Sequence, residues 1–420
     1  MGALLQKLTT SKVPIRQSYS NLNIAFIANS ISKSRMSEPF HTTIGLANVG
    51  NTCFLNVILQ ALRIAPPMVQ MTLSEDHPIV IREESKKRDL VLAFQTLMQD
   101  FWKARIPEGR QPTMIPRGFV HAFYNVLRAN DDDWHSPGEQ SDAAEVLQYI
   151  LEGMHDSMYR KVRMEVQGDA ITSEDTQQIK AIQSWADFHS KEYSSIIHNF
   201  YGQSQITVEC TNCGNKNQRY EPWLVIKAPI PGSEKVGAPA PSLHDCLAAA
   251  FDVETIDDYA CDKCKGKHKA TITTRLSRMP SVLFVSIKRF TNTGRKVRGR
   301  IAWDLDSTNF RDFTAFRRDP FSNTTHDPEY ETFAVIEHLG GLRGGHYRMY
   351  ARQGDWHVYD DSSVNIVPPE RVVNDDSYIA CMIPRRQAAG MRKQMNELIT
   401  KARESSARAE EAAADVAPPA

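Results

Sequence analysis

The chain has 420 residues, 41% of them hydrophobic and 9% aromatic, so it is too long for one minimal domain and apolar enough to exclude wholesale disorder. Fifty basic side chains balance fifty acidic ones, which leaves no global field to draw in a nucleic-acid backbone or an anionic membrane surface. No run approaches the roughly 18 uninterrupted apolar residues of a membrane-spanning helix, since even the stretch from Val57 to Ala65 is broken by Gln60 and Arg63.

In chain order, residues 1–43 form a basic leader in which Lys7, Lys12, Arg16, Lys33 and Arg35 stand among Ser and Thr, with no acidic residue up to Arg35. Two readings stay open: a disordered leader on a cytoplasmic or nuclear protein, which the sequence favours, and an organellar transit peptide. Met36 is an alternative start, and Gln6 stands where a myristoylation signal needs Ser or Thr. Gly45 to Gly50 reads as a loop rich in Gly and Asn. Beyond it Leu55, Ile58, Leu59 and Leu62 fall at helical spacing, which places Cys53 at the start of a helix. Further helices are predicted at Asp89–Lys103, Pro116–Ala129, Ser141–Tyr159 and Thr176–Glu192. From Ser204 the pattern changes to short β-branched runs, predicting strands at Gln205–Glu209, Trp223–Ala228, Lys269–Leu276, Val282–Arg289, Tyr330–His338, His346–Arg352, Trp356–Asp360 and Tyr378–Pro384. One helix, Leu243–Phe251, interrupts them. A helical half followed by a strand-rich half implies an α+β architecture. Residues 387–420, rich in Ala, Glu and Arg, read as an exposed helical tail with no apolar stripe after Leu398.

Cys53 has the address of a nucleophile: a helix N-terminus favours thiolate, and Asn48, Gly50, Asn51 and Thr52 before it supply a tight loop and a side-chain amide able to stabilise an oxyanion. A buried structural cysteine is the alternative on pattern alone. Cysteine catalysis also needs a base and a group that orients it. His346 follows two glycines, and Asp360 and Asp361 end a strand predicted to run beside the one that starts at His346. His338 is a rival base without an acidic partner close downstream, and a structural role is assigned to it. Separately, Cys210-x-x-Cys213 and Cys261-x-x-Cys264 are two knuckles whose spacing suits one closed, structural zinc site, with redox pairs as the alternative. Cys246 and Cys381 read as core residues.

The run from Gly45 through Cys53 to Gln60 resembles the cysteine box of the ubiquitin-specific protease family. Phe333–His338, Gly344-Gly345-His346-Tyr347 and Trp356–Val364 resemble its histidine box, and Gln140–Glu145, Ser195–Gly202 and Pro280–Phe290 resemble segments between the two. The resemblance implies a papain-like cysteine protease fold with thumb, palm and zinc-ribbon fingers, the catalytic domain spanning 44–386 with the fingers within about 200–290. It implies a deubiquitinase acting on ubiquitin and ubiquitinated proteins, with Cys53 as nucleophile, His346 as base, Asp360 as orienting acid, Asn48 as oxyanion donor and Asp361 as accessory. Asp142, Glu145 and Tyr347 are the matching ubiquitin-binding positions; Ser141 and Val146 depart from the family's glutamine and phenylalanine. The need for an activating partner protein stays open. A zinc metalloprotease is argued against by the lack of His-Glu-x-x-His and by four thiols that leave no open coordination position, and a non-catalytic ubiquitin-binding scaffold by the presence of all three triad residue types.

Overall fold

The computed structural model describes residues 16–20, 43–74, 79–104, 112–130, 136–167, 170–232, 240–291, 293–321, 328–341 and 344–416. Apart from Arg16–Ser20, a strand paired antiparallel with Arg163–Gln167, the basic leader and the Met36 start lie outside these residues.

The helical half is built around α1 (Cys53–Ile64), all twelve residues of which are buried. A helix apolar on nearly every side belongs inside a core. Its interruptions, Asn56, Gln60 and Arg63, fall at helical spacing and make one buried polar stripe. Two prolines open α2 (Pro66–Leu73), a helix not foreseen from the sequence. Around α1 pack α3 (Arg88–Lys103), α4 (Arg117–Ala129) and α5 (Ala143–Met158), contributing Phe94, Phe101, Phe123, Leu147 and Ile150 to one core cluster. The start of α6 (Ser173–His189) is fixed by a capping box between Thr172 and Asp175. Ser195–Phe200 is the short helix α7, which leads into the strand that starts at Gly202; Ser194 caps it by accepting a hydrogen bond from the amide of Ile197.

The second half forms two sheets. Strands β1 (Gly202–Cys210), β2 (Lys216–Trp223), β4 (Glu254–Cys261) and β5 (Gly266–Arg278) make an antiparallel sheet in the order β2-β1-β5-β4. Strand β3 (Val225–Pro229) and helix α8 (Leu243–Ala250) lie between β2 and β4 in sequence. The larger sheet adds β6 (Leu283–Lys288), β7 (Glu329–Gly341), β8 (Gly344–Gln353), β9 (Asp355–Asp360), β10 (Ser363–Val367) and β11 (Ser377–Pro384) in the order β10-β9-β8-β7-β11-β6-β3, with Thr308–Asn309 beside β7. Only β6 and β3 are parallel among these neighbours. This sheet is covered on both faces. Phe284, Ala334 and Ile336 face the helical core, whereas Leu283, Val285 and Ile287 face a second cluster with α8. Such a strand reads as an unbroken apolar run, which is why β6 was predictable.

The C-terminal segment differs from expectation. Arg385–Val416 is one helix, α9, and it is not an exposed tail: Ala388 and Ile399 are buried, Met391 and Met395 pack against the main core, and the Arg403 guanidinium donates to the carbonyl of Trp102 at 2.9 Å. Small and flexible residues at steps of three and four let the helix lie close on α2 and α3 despite its charged composition. Among the described residues no helix is long and apolar enough to cross a membrane. Ile399→Ala is expected to cost about 2–5 kcal/mol, while Glu397→Ala on the exposed face changes stability by no more than about 0.5 kcal/mol. Thermal unfolding of both variants checks this, and equal melting temperatures would remove the packing role of α9.

Candidate active site

The loop before α1 is held by Asn48, whose Oδ1 accepts hydrogen bonds from the amides of Gly50 and Thr52 at 3.2 and 3.0 Å. Gly50 (φ 112°) and Asn51 (φ 54°) are both left-handed, which folds the chain tightly enough to deliver Cys53 as the first residue of the helix. Thr52 does not cap that helix with its side chain. Its hydroxyl turns back and accepts from Val49 N–H at 3.0 Å, leaving the positive end of α1 uncapped beside the Cys53 sulfur.

The thiol of Cys53, nearly enclosed at 2% exposure, lies close enough to the His346 imidazole to raise its proton affinity. The ring's Nε2 meets Asp360 Oδ1 at 2.6 Å. These contacts, Cys53 first and Asp360 second, outweigh partial burial and hold the imidazole proton up to about 9. The hairpin brings the pair together: β8 carries His346, and β9, paired to it from Met349 opposite Tyr359, ends at Asp360. Asp361 has a different task. Its Oδ2 accepts from Asn48 Nδ2 at 3.0 Å and its Oδ1 from Asn56 Nδ2 at 2.8 Å. The expected catalytic set and its accessory thus stand together, with Cys53 beside His346, His346 bonded to Asp360 and Asn48 bonded to Asp361.

The three expected ubiquitin-binding positions divide. Glu145 is exposed. The carboxylate of Asp142 caps α5 through the amides of Ala144 and Glu145 and accepts from Tyr378 Oη at 2.5 Å, so it is largely committed within the fold. Tyr347 is 5% exposed and packed against His338, ring centroids 4.4 Å apart. His338 is buried, its proton affinity pushed down to about 4 by desolvation and by Lys296, in keeping with the structural role assigned to it. Cys246 and Cys381 are buried, as expected of core residues.

At the far end of the β2-β1-β5-β4 sheet, Cys210, Cys213, Cys261 and Cys264 converge with all sulfurs within 4.8 Å of one another. Sγ separations of 3.8 Å (Cys210–Cys264) and 3.6 Å (Cys213–Cys261) match the roughly 3.8 Å edge of a tetrahedron with metal–sulfur bonds near 2.3 Å. The amide of Cys264 helps draw the Cys261 thiol down to about 6. The cluster can hold a metal ion.

A family model described as UCH, ubiquitin carboxyl-terminal hydrolase, matches residues 44–381. The chain belongs to this family. It is 26% identical to ubiquitin carboxyl-terminal hydrolase 21 of Rattus norvegicus over 82% of this chain and 65% of that protein. It is also 26% identical to ubiquitin carboxyl-terminal hydrolase Usp2 of Drosophila melanogaster, over 83% of this chain and 35% of that protein. The chain thus spans about 65% of the length of the rat relative and less of the fly one. Among solved structures it resembles the SAGA DUB module Ubp8/Sgf11/Sus1/Sgf73 bound to monoubiquitin, with TM-score 0.60 and 21% identity over 81% of this chain and 68% of that one. The same module bound to ubiquitin aldehyde gives 0.59, 21% identity, 81% and 69%. These structures share the fold.

Two residues of this UCH-family site were not foreseen. Arg348 lies opposite Glu337 in the β7–β8 hairpin, bonds its buried carboxylate at 2.5 Å, and brings a second guanidinium nitrogen 3.7 Å from Asp360 Oδ2. The opposite charges at facing register positions were the available signal. Gln140 bonds the backbone of Gly345 beside the histidine; the resemblance of Gln140–Glu145 marked the segment but not this contact. An NMR titration of the ring of His346 is expected to find a midpoint near 9, falling toward 6.5 in Cys53→Ala because the largest stabilising contact of the imidazolium is removed, while His338 stays neutral down to about 4. An unchanged His346 midpoint in that variant would separate the sulfur from the ring.

Proposed function

We propose that the chain is a thiol-dependent deubiquitinase that hydrolyses the isopeptide or peptide bond after the C-terminal glycine of ubiquitin on conjugated proteins or chains. The observation that carries this reading is the convergence of Cys53 on His346, whose ring is hydrogen-bonded to Asp360, assembled from the start of α1 and the β8–β9 hairpin within a UCH-family domain.

Cys53 is the nucleophile, attacking the carbonyl carbon of the terminal glycine as a thiolate. His346, carrying the proton, protonates the departing amine. It then takes a proton from the water that hydrolyses the thioester. Asp360 holds the ring by Nε2 and so fixes its orientation beside the sulfur. Asn48 spends one amide hydrogen on Asp361 and has a second to offer the developing oxyanion, and Asp361 fixes the direction of that donor. Glu145, exposed near the start of α5, is the carboxylate suited to the basic tail of ubiquitin. Asp142 and Tyr347 support that surface from below. Gly344 leaves room for a slender tail, and most of the discrimination comes from remote contacts with the ubiquitin body. When bound, one zinc ion at Cys210, Cys213, Cys261 and Cys264 cross-links the end of the finger sheet and takes no part in the chemistry.

Purified protein is expected to cleave a ubiquitin C-terminal fluorogenic amide, with an alkaline limb near 9 as the imidazolium proton is lost, and Cys53→Ala is expected to reduce turnover at least about 10⁴-fold without unfolding. Undiminished turnover by the alanine variant would discard the nucleophile. Metal analysis should give about one zinc per chain, falling to near none in Cys210→Ser with a lower melting temperature. Freshly purified protein without zinc would refute the closed site.

A further inference from the structure

Strand β8 opens with Gly344, Gly345 and His346 and is paired on one side with β7, Gly345 opposite Gly340 and His346 opposite Leu339. On the other side β9 reaches only as far as Met349. Among the described residues, the outer edge of those flanking His346 therefore has no strand beside it. At Gly345 that edge is filled by a side chain: Gln140 Nε2 donates to the Gly345 carbonyl at 2.6 Å, and Gly345 N–H donates to Gln140 Oε1 at 2.7 Å. Two residues that exchange both N–H···O bonds are the repeating unit of an antiparallel ladder, and a primary amide imitates it with one donor and one acceptor.

The segment that carries Gln140 also reaches the nucleophile's loop, where Asn51 Nδ2 donates to the carbonyl of Gly138 at 2.7 Å. It therefore bridges the loop before Cys53 and the strand of His346. Gly345 is closed on its Cβ side, because a methyl group there would come within 2.2 Å of His338 Nε2 and 2.3 Å of the Leu339 carbonyl oxygen. What Gly345 still offers is its backbone edge. Gln140 is exposed, so its two hydrogen bonds trade against water and are modest in net strength. A ligand that brings a peptide group of its own can replace both, one for one.

We propose that Gln140 is a place-holder on the strand edge beside His346: its side-chain amide occupies Gly345 until an extended, glycine-ended peptide tail arrives along that edge, takes over both hydrogen bonds as an added strand, and releases it. The nature of the tail rests on the deubiquitinase reading above; the exchange at Gly345 rests on the geometry. Gln140 is thus a specificity-determining residue that competes with the tail and admits only ligands with free backbone donors and acceptors at this point.

The test measures binding without turnover, in the full-length Cys53→Ala chain, to intact ubiquitin and to ubiquitin lacking its C-terminal tail. Adding Gln140→Ala or, to keep the bulk, Gln140→Leu is expected to tighten intact ubiquitin about two- to tenfold, the scale of one or two exposed hydrogen bonds, and to leave the truncated form unchanged. Intact ubiquitin bound no more tightly by both folded variants would overturn the place-holder, as would equal tightening of the truncated form. Failure of every protein in the set, Gln140 intact or not, to bind ubiquitin would overturn the substrate reading and with it the ligand named here.

Discussion

The turn at Asp360, Asp361 and Ser362 is where the two halves of the molecule are fastened. Asp360 turns to the sheet and His346, while Asp361 turns to the helical half, to Asn48 and Asn56. The Asp361 carbonyl accepts from Leu46 N–H at 2.8 Å, and Ser362 lies so near Gly45 that a Cβ there would meet its carbonyl oxygen at 2.3 Å. Adjacent side chains can serve opposite halves because Asp361 adopts the left-handed conformation, φ 48°, which aspartate tolerates better than most residues. Without this fastening, sulfur and imidazole belong to separate layers with no covalent reason to meet.

The polar stripe of α1 extends the same fastening inward. Asn56 reaches Asp361, Gln60 donates to the Ile44 carbonyl at 2.8 Å, and Arg63 bonds Gln60 Oε1 and lies over the rings of Phe101 and Trp102. In the sequence these positions are flaws in an apolar run. In the fold they are anchors, fixing the depth and rotation of the helix whose first residue is Cys53. A buried polar group is costly unless satisfied, so three with defined partners specify one docking of the helix against its loop.

The strong periodicities were legible: α1, α3, α4, α5 and nearly every strand of the large sheet were readable from apolar spacing, as were the two boxes and the cysteine knuckles. The omissions share a physical cause. Strands β2 and β4, with sequences such as Lys216–Trp223, have both faces largely wet and carry no alternation to detect. Helix α9 buries a stripe of Ala, Met and Ile too thin to stand out against its charges. Gln140 and Arg348 act on groups more than two hundred residues away and one hairpin away respectively, and only the Arg348–Glu337 register could have been anticipated. His338 and His346 show what local pattern leaves unsaid. Both follow or end palm strands beside glycines, yet a thiol and a carboxylate hold one protonated while burial beside Lys296 keeps the other neutral.

The finger sheet has a consequence for the molecule's energetics. Leu276 at the base of the sheet joins the cluster of α8 and the large sheet, but toward the tip two of its four strands are wet on both faces and the end is gathered by four sulfurs. Cooperativity comes from shared hydrophobic interior. The finger tip therefore has the least shared interior to hold it closed, and its amide protons are the ones placed to exchange before those around Cys53.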